Sequence, residues 1–296
     1  RYAAVDTQSD ENSPTQPSTP CQLDLSRMLV AELEAMGASD VKLTDYGVVL
    51  ATVPGNTAGP VMGLCAHVDT APQFNATGVK PRVIQGYNGG DITFPDAPAR
   101  RLGPDISPHL ENCVGHDLIT ASGNTLLGGD DKAGVAIIMT AAKHLLDNPD
   151  VPHGEIRLAF TPDEEIGRGV DARLPADMAC DFAYTFDGSK PGEVEHETFS
   201  ADRGIVMVTG VSIHPGWAKD KLVNATHLAA RILETLPQST MTPETTSGAE
   251  GFIHATDITG DAAQVRIGFI IRDFEREGLA QKGAILRAVC DAIALT

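Results

Sequence analysis

The sequence predicts an α/β fold: a mostly parallel mixed sheet with flanking helices, joined to an inserted α+β domain. Three observations carry this. Through residues 1–203, apolar runs of strand length alternate with segments whose apolar residues recur at helical spacing, and polar clusters stand at the carboxyl ends of the strand-like runs. From Gly204 onward the order becomes β-α-β-β-α.

Length and composition set the bounds. With 296 residues, 42% of them hydrophobic, the chain can build a substantial core. Its formal net charge of -18 argues against nucleic acid or an anionic membrane as partner, because both need a positive footprint. The five cysteines form no CxxC pair and several lie in apolar runs, as reduced thiols packed like small hydrophobes do. No stretch is long enough to span a bilayer, and the N-terminus lacks the basic-then-apolar signature of a signal peptide, so a cytoplasmic location is expected. The chain opens at Arg1 without an initiator methionine and closes inside an apolar helical pattern, so both ends read as cut.

In order, a polar Ser/Pro/Thr-rich segment runs from Gln8 to Pro20. Leu25, Met28, Leu29, Leu33 and Met36 then mark one face of a helix that Gly37 ends. Val41–Leu43 and Val48–Val53 read as strands broken at Tyr46-Gly47, and the run from Pro60 to Ala66 as a strand buried on both faces. Residues 71–119 are rich in Gly, Pro and Asp and too long for an ordinary loop, which predicts a functional excursion or a small subdomain. A helix follows from Lys132 through Leu146, then strands at Glu155–Phe160 and Phe182–Phe186. In the second domain, 204–296, a strand at Ile205–Ile213 leads through His214-Pro215-Gly216 to a helix at Leu222–Leu236, two strands turning near Gly260-Asp261, and a helix from Phe274. That order lacks only a last strand to complete a ferredoxin-like unit.

The chemistry gathers at the strand ends. His67-Val68-Asp69-Thr70 follows the first buried strand, Gly128-Gly129-Asp130-Asp131-Lys132 precedes the long helix, and Glu164-Glu165 and Asp187 follow the next two strands. Paired carboxylates raise each other's pKa and repel unless a cation neutralises them. Taken singly, a His-x-Asp is ordinarily a satisfied polar pair, and Asp-Asp or Glu-Glu a solvated turn or helix cap. Four such features, each beside an apolar strand, point instead to a divalent metal. His67, Asp130, Glu165 and Asp187 have the ligand types of zinc, Asp130 is the central candidate for a bridge between two ions, and Asp69 can accept the second ring N–H of His67. Of the adjacent Glu164 and Glu165, one can ligate while the other acts as general base.

These motifs, with Phe160-Thr161-Pro162-Asp163-Glu164-Glu165-Ile166-Gly167, Tyr2-Ala3-Ala4-Val5-Asp6-Thr7-Gln8-Ser9, His214-Pro215-Gly216, Asn224-Ala225 and Ile271-Arg272-Asp273-Phe274, resemble the peptidase T family of tripeptide aminopeptidases, in the di-zinc exopeptidase clan. The resemblance runs nearly the whole chain in order. It implies a zinc exopeptidase-like catalytic domain with a lid domain inserted, and two zinc ions per subunit. It further implies that His67 and Asp187 bind one zinc, Asp130 bridges, Glu165 binds the other, Asp69 orients and Glu164 is the general base. His214 would serve the carbonyl oxygen of a short peptide substrate and Arg272 its C-terminal carboxylate. Read without the family, Arg272 could simply pair with Asp273 or Glu275, and His214 could be a turn residue. Asp131 is expected to shape the turn.

Family members also return to the first domain after the lid and supply a second zinc-binding histidine there. This sequence ends first, which implies that the second ion keeps two protein ligands. The expected function is a metallo-aminopeptidase that removes the N-terminal residue of tripeptides, with a homodimer through the lid domain. The alternatives are a dipeptidase or N-acyl amino acid amidohydrolase of the same clan, and an inactive fragment or pseudoenzyme binding at most one metal.

Overall fold

The computed structural model describes residues 1–188, 190 and 192–295. The chain divides into two compact units, Arg1–Glu193 and Val194–Thr296. The second begins before the Gly204 that the pattern predicts: residues 200–203, three of them polar, already pair in its first strand.

In the first unit, α1 (Gln22–Met36) buries Leu25, Leu29 and Leu33 completely on one stripe. It stops at Gly37, whose left-handed φ of 85° needs no Cβ; Gly37 N–H then bonds back to Glu34 O and Ala38 N–H to Leu33 O. The strands β1 (Ser39–Leu43), β2 (Val49–Val53) and β3 (Met62–His67) follow.

Residues 71–119 lie within the first unit and carry short strands with an apolar cluster of their own. The segment contains β4 (Arg82–Ile84), β5 (Ile92–Thr93), β6 (Arg101–Leu102) and a 3-10 turn at Pro108–Cys113, and β7 (Leu118–Thr120) closes it against β4. Tyr87, Ile92 and Leu110 form that cluster. Then come α2 (Gly129–Asp147), β8 (Ile156–Thr161), a 3-10 turn at Glu164–Ile166, α3 (Leu174–Met178) and β9 (Phe182–Thr185).

The five-stranded sheet runs β1-β2-β8-β3-β9. It is mixed: β8, β3 and β9 are parallel, whereas β1 and β2 join antiparallel. Every residue of β2 is buried, because alternate side chains enter two cores. Val49, Ala51 and Val53 face α1 and α2 with Leu64, Leu158 and Phe160, while Leu50 packs with Tyr46, Ala159, Leu174 and Met178. Parallel pairing of β3 with β8 and with β9 places the carboxyl ends of the three strands side by side.

The second unit runs β10 (Ser200–Thr209), α4 (Ala225–Thr235), β11 (Phe252–Gly260), β12 (Gln264–Asp273) and α5 (Arg276–Ala294). Its antiparallel sheet has the order β10-β12-β11, the arrangement of the first three strands of a ferredoxin-like unit. Val265, Ile267, Phe269 and Ile271 alternate with outward residues and pack with Ala229 and Ile232 of α4 and Leu286 and Ile293 of α5.

Replacing Leu29 by alanine should remove fully buried contacts and leave a cavity, lowering the unfolding free energy by about 3 kcal/mol in urea titration; Ile267→Ala should do the same for the second unit. A loss under about 1 kcal/mol in either would show that these positions are not core.

Candidate metal centre

The three strand ends and the start of α2 bring the acidic clusters together. His67 is the last residue of β3, Asp130 and Asp131 open α2, Glu164 and Glu165 form the turn after β8, and Asp187 follows β9. His67 Nε2 lies 2.9 Å from Asp130 Oδ1 and 3.8 Å from Asp187 Oδ2, and Glu164 Oε2 stands alongside at 3.9 Å. The donor atoms of His67, Asp130 and Asp187 all fall within 4.8 Å of one another. One imidazole nitrogen and two carboxylate oxygens converging this way fit a divalent cation, and the resident side chains alone leave two carboxylates facing each other. Glu165 lies outside that three-residue group. Its carboxyl is pushed up by burial first and then by Asp130.

The two aspartates at the start of α2 have opposite fates. Asp130 is 70% exposed and presents its carboxylate to the cluster, whereas Asp131 is 3% exposed. Asp131 accepts the backbone N–H of His67 and of Gly134, each at 3.1 Å, which ties β3 to the helix start. It therefore shapes the turn, as expected. The glycine is required here. A Cβ on Gly134 would stand 2.1 Å from Phe186 O and 2.3 Å from Asp131 Oδ1, so any side chain would push the Asp187 strand end away. Lys132, almost fully buried, donates from Nζ to Val5 O at 2.8 Å, and burial lowers its ammonium to about 8.

Asp69, fully buried, orients the cluster from beneath. Its Oδ1 lies 3.2 Å from His67 Nδ1, which makes no hydrogen bond there but is close enough for the ring to be held by charge. The same carboxylate accepts the N–H of Glu164 at 2.9 Å and of Glu165 at 3.2 Å. The two successive N–H groups make a small anion nest filled by a side chain.

The carboxylates dominate the electrostatics. Burial alone would push the His67 ring down, but Asp69, Asp131 and Asp187 outweigh it and raise the ring to about 10. Burial raises Asp187 to about 6, opposed by His67 and reinforced by Asp130. Asp131 rises to about 7, again by burial, which His67 offsets only in part.

His214 and Arg272 belong to the second unit. His214 precedes a 3-10 turn at Pro215–Trp217 and its Nδ1 accepts the Gly216 N–H at 3.1 Å, so the neutral ring carries its proton on Nε2. Arg272, on β12, stacks its guanidinium 4.4 Å from the Phe199 ring centroid. It does not pair with Asp273, whose carboxylate takes Lys282 Nζ at 2.5 Å, and among the described residues it has no ion pair.

Against peptidase T of Geobacillus thermodenitrificans the chain is 45% identical over 296 residues, 99% of this chain and 72% of that relative. The chain belongs to the peptidase T family. Peptidase T of Halothermothrix orenii matches equally, 45% over 292 residues, covering 98% of this chain and 71% of that one. A family model described as the peptidase dimerisation domain of M20 peptidases matches residues 196–295. Among solved structures, the fold is that of an aminopeptidase from Bacillus cereus, with a TM-score of 0.67 at 20% identity over 99% of this chain and 69% of that one. A dinuclear metal binding peptidase of the M20 family from Bacillus subtilis aligns with a TM-score of 0.54 at 17% identity, over 96% of this chain and 67% of that one.

Sequence reasoning passed over Asp163, Ser18 and Gln22, which surround the Glu164–Glu165 turn. An acidic residue standing just before a turn that must bend sharply was the available signal, since Asp and Asn enter the left-handed region more easily than other side chains.

A ligating imidazole must be neutral, so metal uptake has to displace the His67 proton wherever pH lies below its raised value. Calorimetry of zinc binding in buffers of different ionisation enthalpy should show about one proton released per ion near about pH 8, and more near about pH 6, where Asp187 is also partly protonated. Affinity should climb with pH throughout that range. Proton-independent binding would exclude His67 as a ligand.

Proposed function

We propose that the chain is a cytosolic metallo-aminopeptidase that hydrolyses the N-terminal residue from tripeptides, with zinc as its metal. The observation that carries this is the convergence of His67, Asp130 and Asp187 at the strand ends with Glu164 beside them, in a member of the peptidase T family. The names of relatives support the substrate class: the family is called peptidase T, and a Staphylococcus aureus structure of the same fold, at a TM-score of 0.66 and 20% identity, is a tripeptidase.

Bound there, divalent ions would supply Lewis acidity to the peptide carbonyl and acidify the attacking water. His67, Asp130 and Asp187 would hold the first ion, and Glu165, with Asp130 as the shared carboxylate, the second. Each remaining step falls to the chain's own side chains. Glu164, half-exposed and 3.9 Å from His67 Nε2, is within reach of a water at the cluster; it takes that water's proton and passes it to the leaving amine. Asp69 holds the ring of His67 and, through the Glu164 and Glu165 amides, the turn that carries the base. His214, protonated on Nε2, is assigned to the carbonyl oxygen as negative charge develops there. Arg272, stacked on Phe199 and free of a carboxylate partner among the described residues, is assigned to the substrate's C-terminal carboxylate. The dimerisation-domain match at 196–295 supports a homodimer through the second unit.

A second reading is favoured by one observation. Among the described residues the cluster contains a single histidine, and only one group of three ligands. On that reading the chain holds at most one ion and turns over slowly or not at all. Metal analysis after dialysis separates the two: about two zinc ions per chain supports the first, and about one without peptide hydrolysis supports the second. Comparing tripeptides with dipeptides and N-acetyl amino acids tests the same-clan dipeptidase or amidohydrolase alternative.

Glu164→Ala should lower kcat by at least about a thousandfold on a tripeptide while zinc content and folded structure stay at the parent level. Retained turnover would remove Glu164 from the role of base. Asp69→Asn, which keeps the shape but loses the charge, should weaken zinc binding by about tenfold or more; parent-level affinity would contradict its orienting role.

A further inference from the structure

Asp163 stands immediately before Glu164, is fully buried, and ligates nothing in the cluster. A carboxylate in that position is costly unless hydrogen bonds replace its lost water. It receives a full set. Oδ2 accepts the Ser18 backbone N–H at 2.7 Å, and Oδ1 accepts Gln22 Nε2 at 2.7 Å together with the Ser18 hydroxyl. The backbone N–H of Asp163 returns a bond to Gln22 Oε1 at 3.1 Å. Gln22, the first residue of α1 and itself fully buried, therefore reaches Asp163, 141 positions away, with both ends of its amide, while Nε2 also donates to Ser18 and Thr19.

The backbone explains what this array accomplishes. Asp163 has φ 60° and ψ 24°, the left-handed region that side chains other than Gly, Asn and Asp rarely enter. That conformation turns the chain so that the next two N–H groups, of Glu164 and Glu165, both point at Asp69. The turn is thus held between two buried carboxylates, Asp69 gripping its amides and Asp163 fixing its entry. The polar segment that precedes α1 straps the far side: Arg168 donates to Ser13 O at 2.6 Å and to Glu11 O at 3.1 Å, and Gln16 donates to Arg168 O at 3.2 Å. The Ser/Pro/Thr-rich stretch, which has no periodicity of its own, is ordered by this turn.

We propose that Ser18, Gln22 and Asp163 form a positioning clamp that sets the Glu164–Glu165 turn, and through it the geometry of the general base and of the second metal's carboxylate. None of the three touches substrate or metal; they act through the backbone. The proposal rests on the assignment of Glu164 and Glu165 to the site, so its test includes measurements that do not need turnover.

In Gln22→Met, which keeps the volume and deletes both amide bonds to Asp163 along with those from Nε2 to Ser18 and Thr19, the amides of Glu164 and Glu165 in the metal-free full chain should exchange with deuterium about tenfold faster or more, while those of β8 stay unchanged. Zinc affinity, measured by competition with a chromophoric chelator, should fall by about tenfold. With a tripeptide substrate kcat should fall and KM change little. The reciprocal exchange Asp163→Asn with Gln22→Glu restores one donor–acceptor pair and should return zinc affinity to within about threefold of the parent. If Gln22→Met does not fold, Ser18→Ala, which removes the hydroxyl's bond to Asp163 together with those it accepts from the Asp10 N–H and Gln22 Nε2, should still speed exchange in the turn by about threefold. A lowered melting temperature with exchange in the turn and zinc affinity both at parent level would reduce the clamp to a folding contact and overturn the proposal. Absence of peptide hydrolysis in the parent chain would instead count against the proposed activity, leaving exchange and zinc affinity to decide the clamp.

Discussion

The buried carboxylate of Asp69 is the interaction on which the first unit's chemistry depends. It has no exposed surface, yet it touches two of the elements that build the cluster: the ring of His67 at the end of β3 and the two amides of the turn after β8. An anion buried this way is stabilised by the N–H groups it receives and by the positive character it induces on the imidazole. The same three contacts fix a nitrogen ligand, a candidate base and a candidate carboxylate ligand to one rigid point. Asp131 repeats the device one element over, joining the His67 backbone to the first turn of α2.

The sheet makes this convergence possible. Parallel β8, β3 and β9 end at one edge because β3 pairs in parallel register with both neighbours, while α1 and α2 cover β3 and β8 on one face and a smaller apolar cluster on the other. The strand ends then need only short polar tails to meet. Gly134 completes the fit, since a Cβ there would collide with Phe186 O and Asp131 and displace Asp187. The result is a set of acidic groups held at a spacing that burial and mutual repulsion make unfavourable without a cation, which is why Asp187 and Glu165 are pushed up and His67 holds its proton.

Much of this was legible in the sequence, for physical reasons. His67 and Asp187 stand directly after apolar strand runs and Asp130 at the glycine-rich start of an apolar helix, so the hydrophobic pattern that defines the elements also locates the candidate ligands. The split between Asp130 and Asp131 was foreseen in kind, but its depth was not, because no local signal distinguishes an exposed carboxylate from one accepting two buried amides. The start of the second unit was misjudged because Ser200, Asp202 and Arg203 are polar and their strand partners lie at Ile270–Asp273. Only Asp163 left a local trace, as an acidic residue before a sharp turn; its link to Ser18 and Gln22 was illegible, because those contacts join a segment without periodicity to a turn far along the chain. The alternative pairing of Arg272 with Asp273 is not formed for a similar reason, since Lys282, in the helix that follows, takes Asp273 instead.

The most direct test of the central claim is anomalous diffraction from crystals of the chain grown with zinc. The account predicts a peak about 2.0–2.2 Å from His67 Nε2 and from a carboxylate oxygen of Asp130 and of Asp187. No peak within reach of His67 at saturating zinc, with or without one elsewhere on the chain, would contradict it.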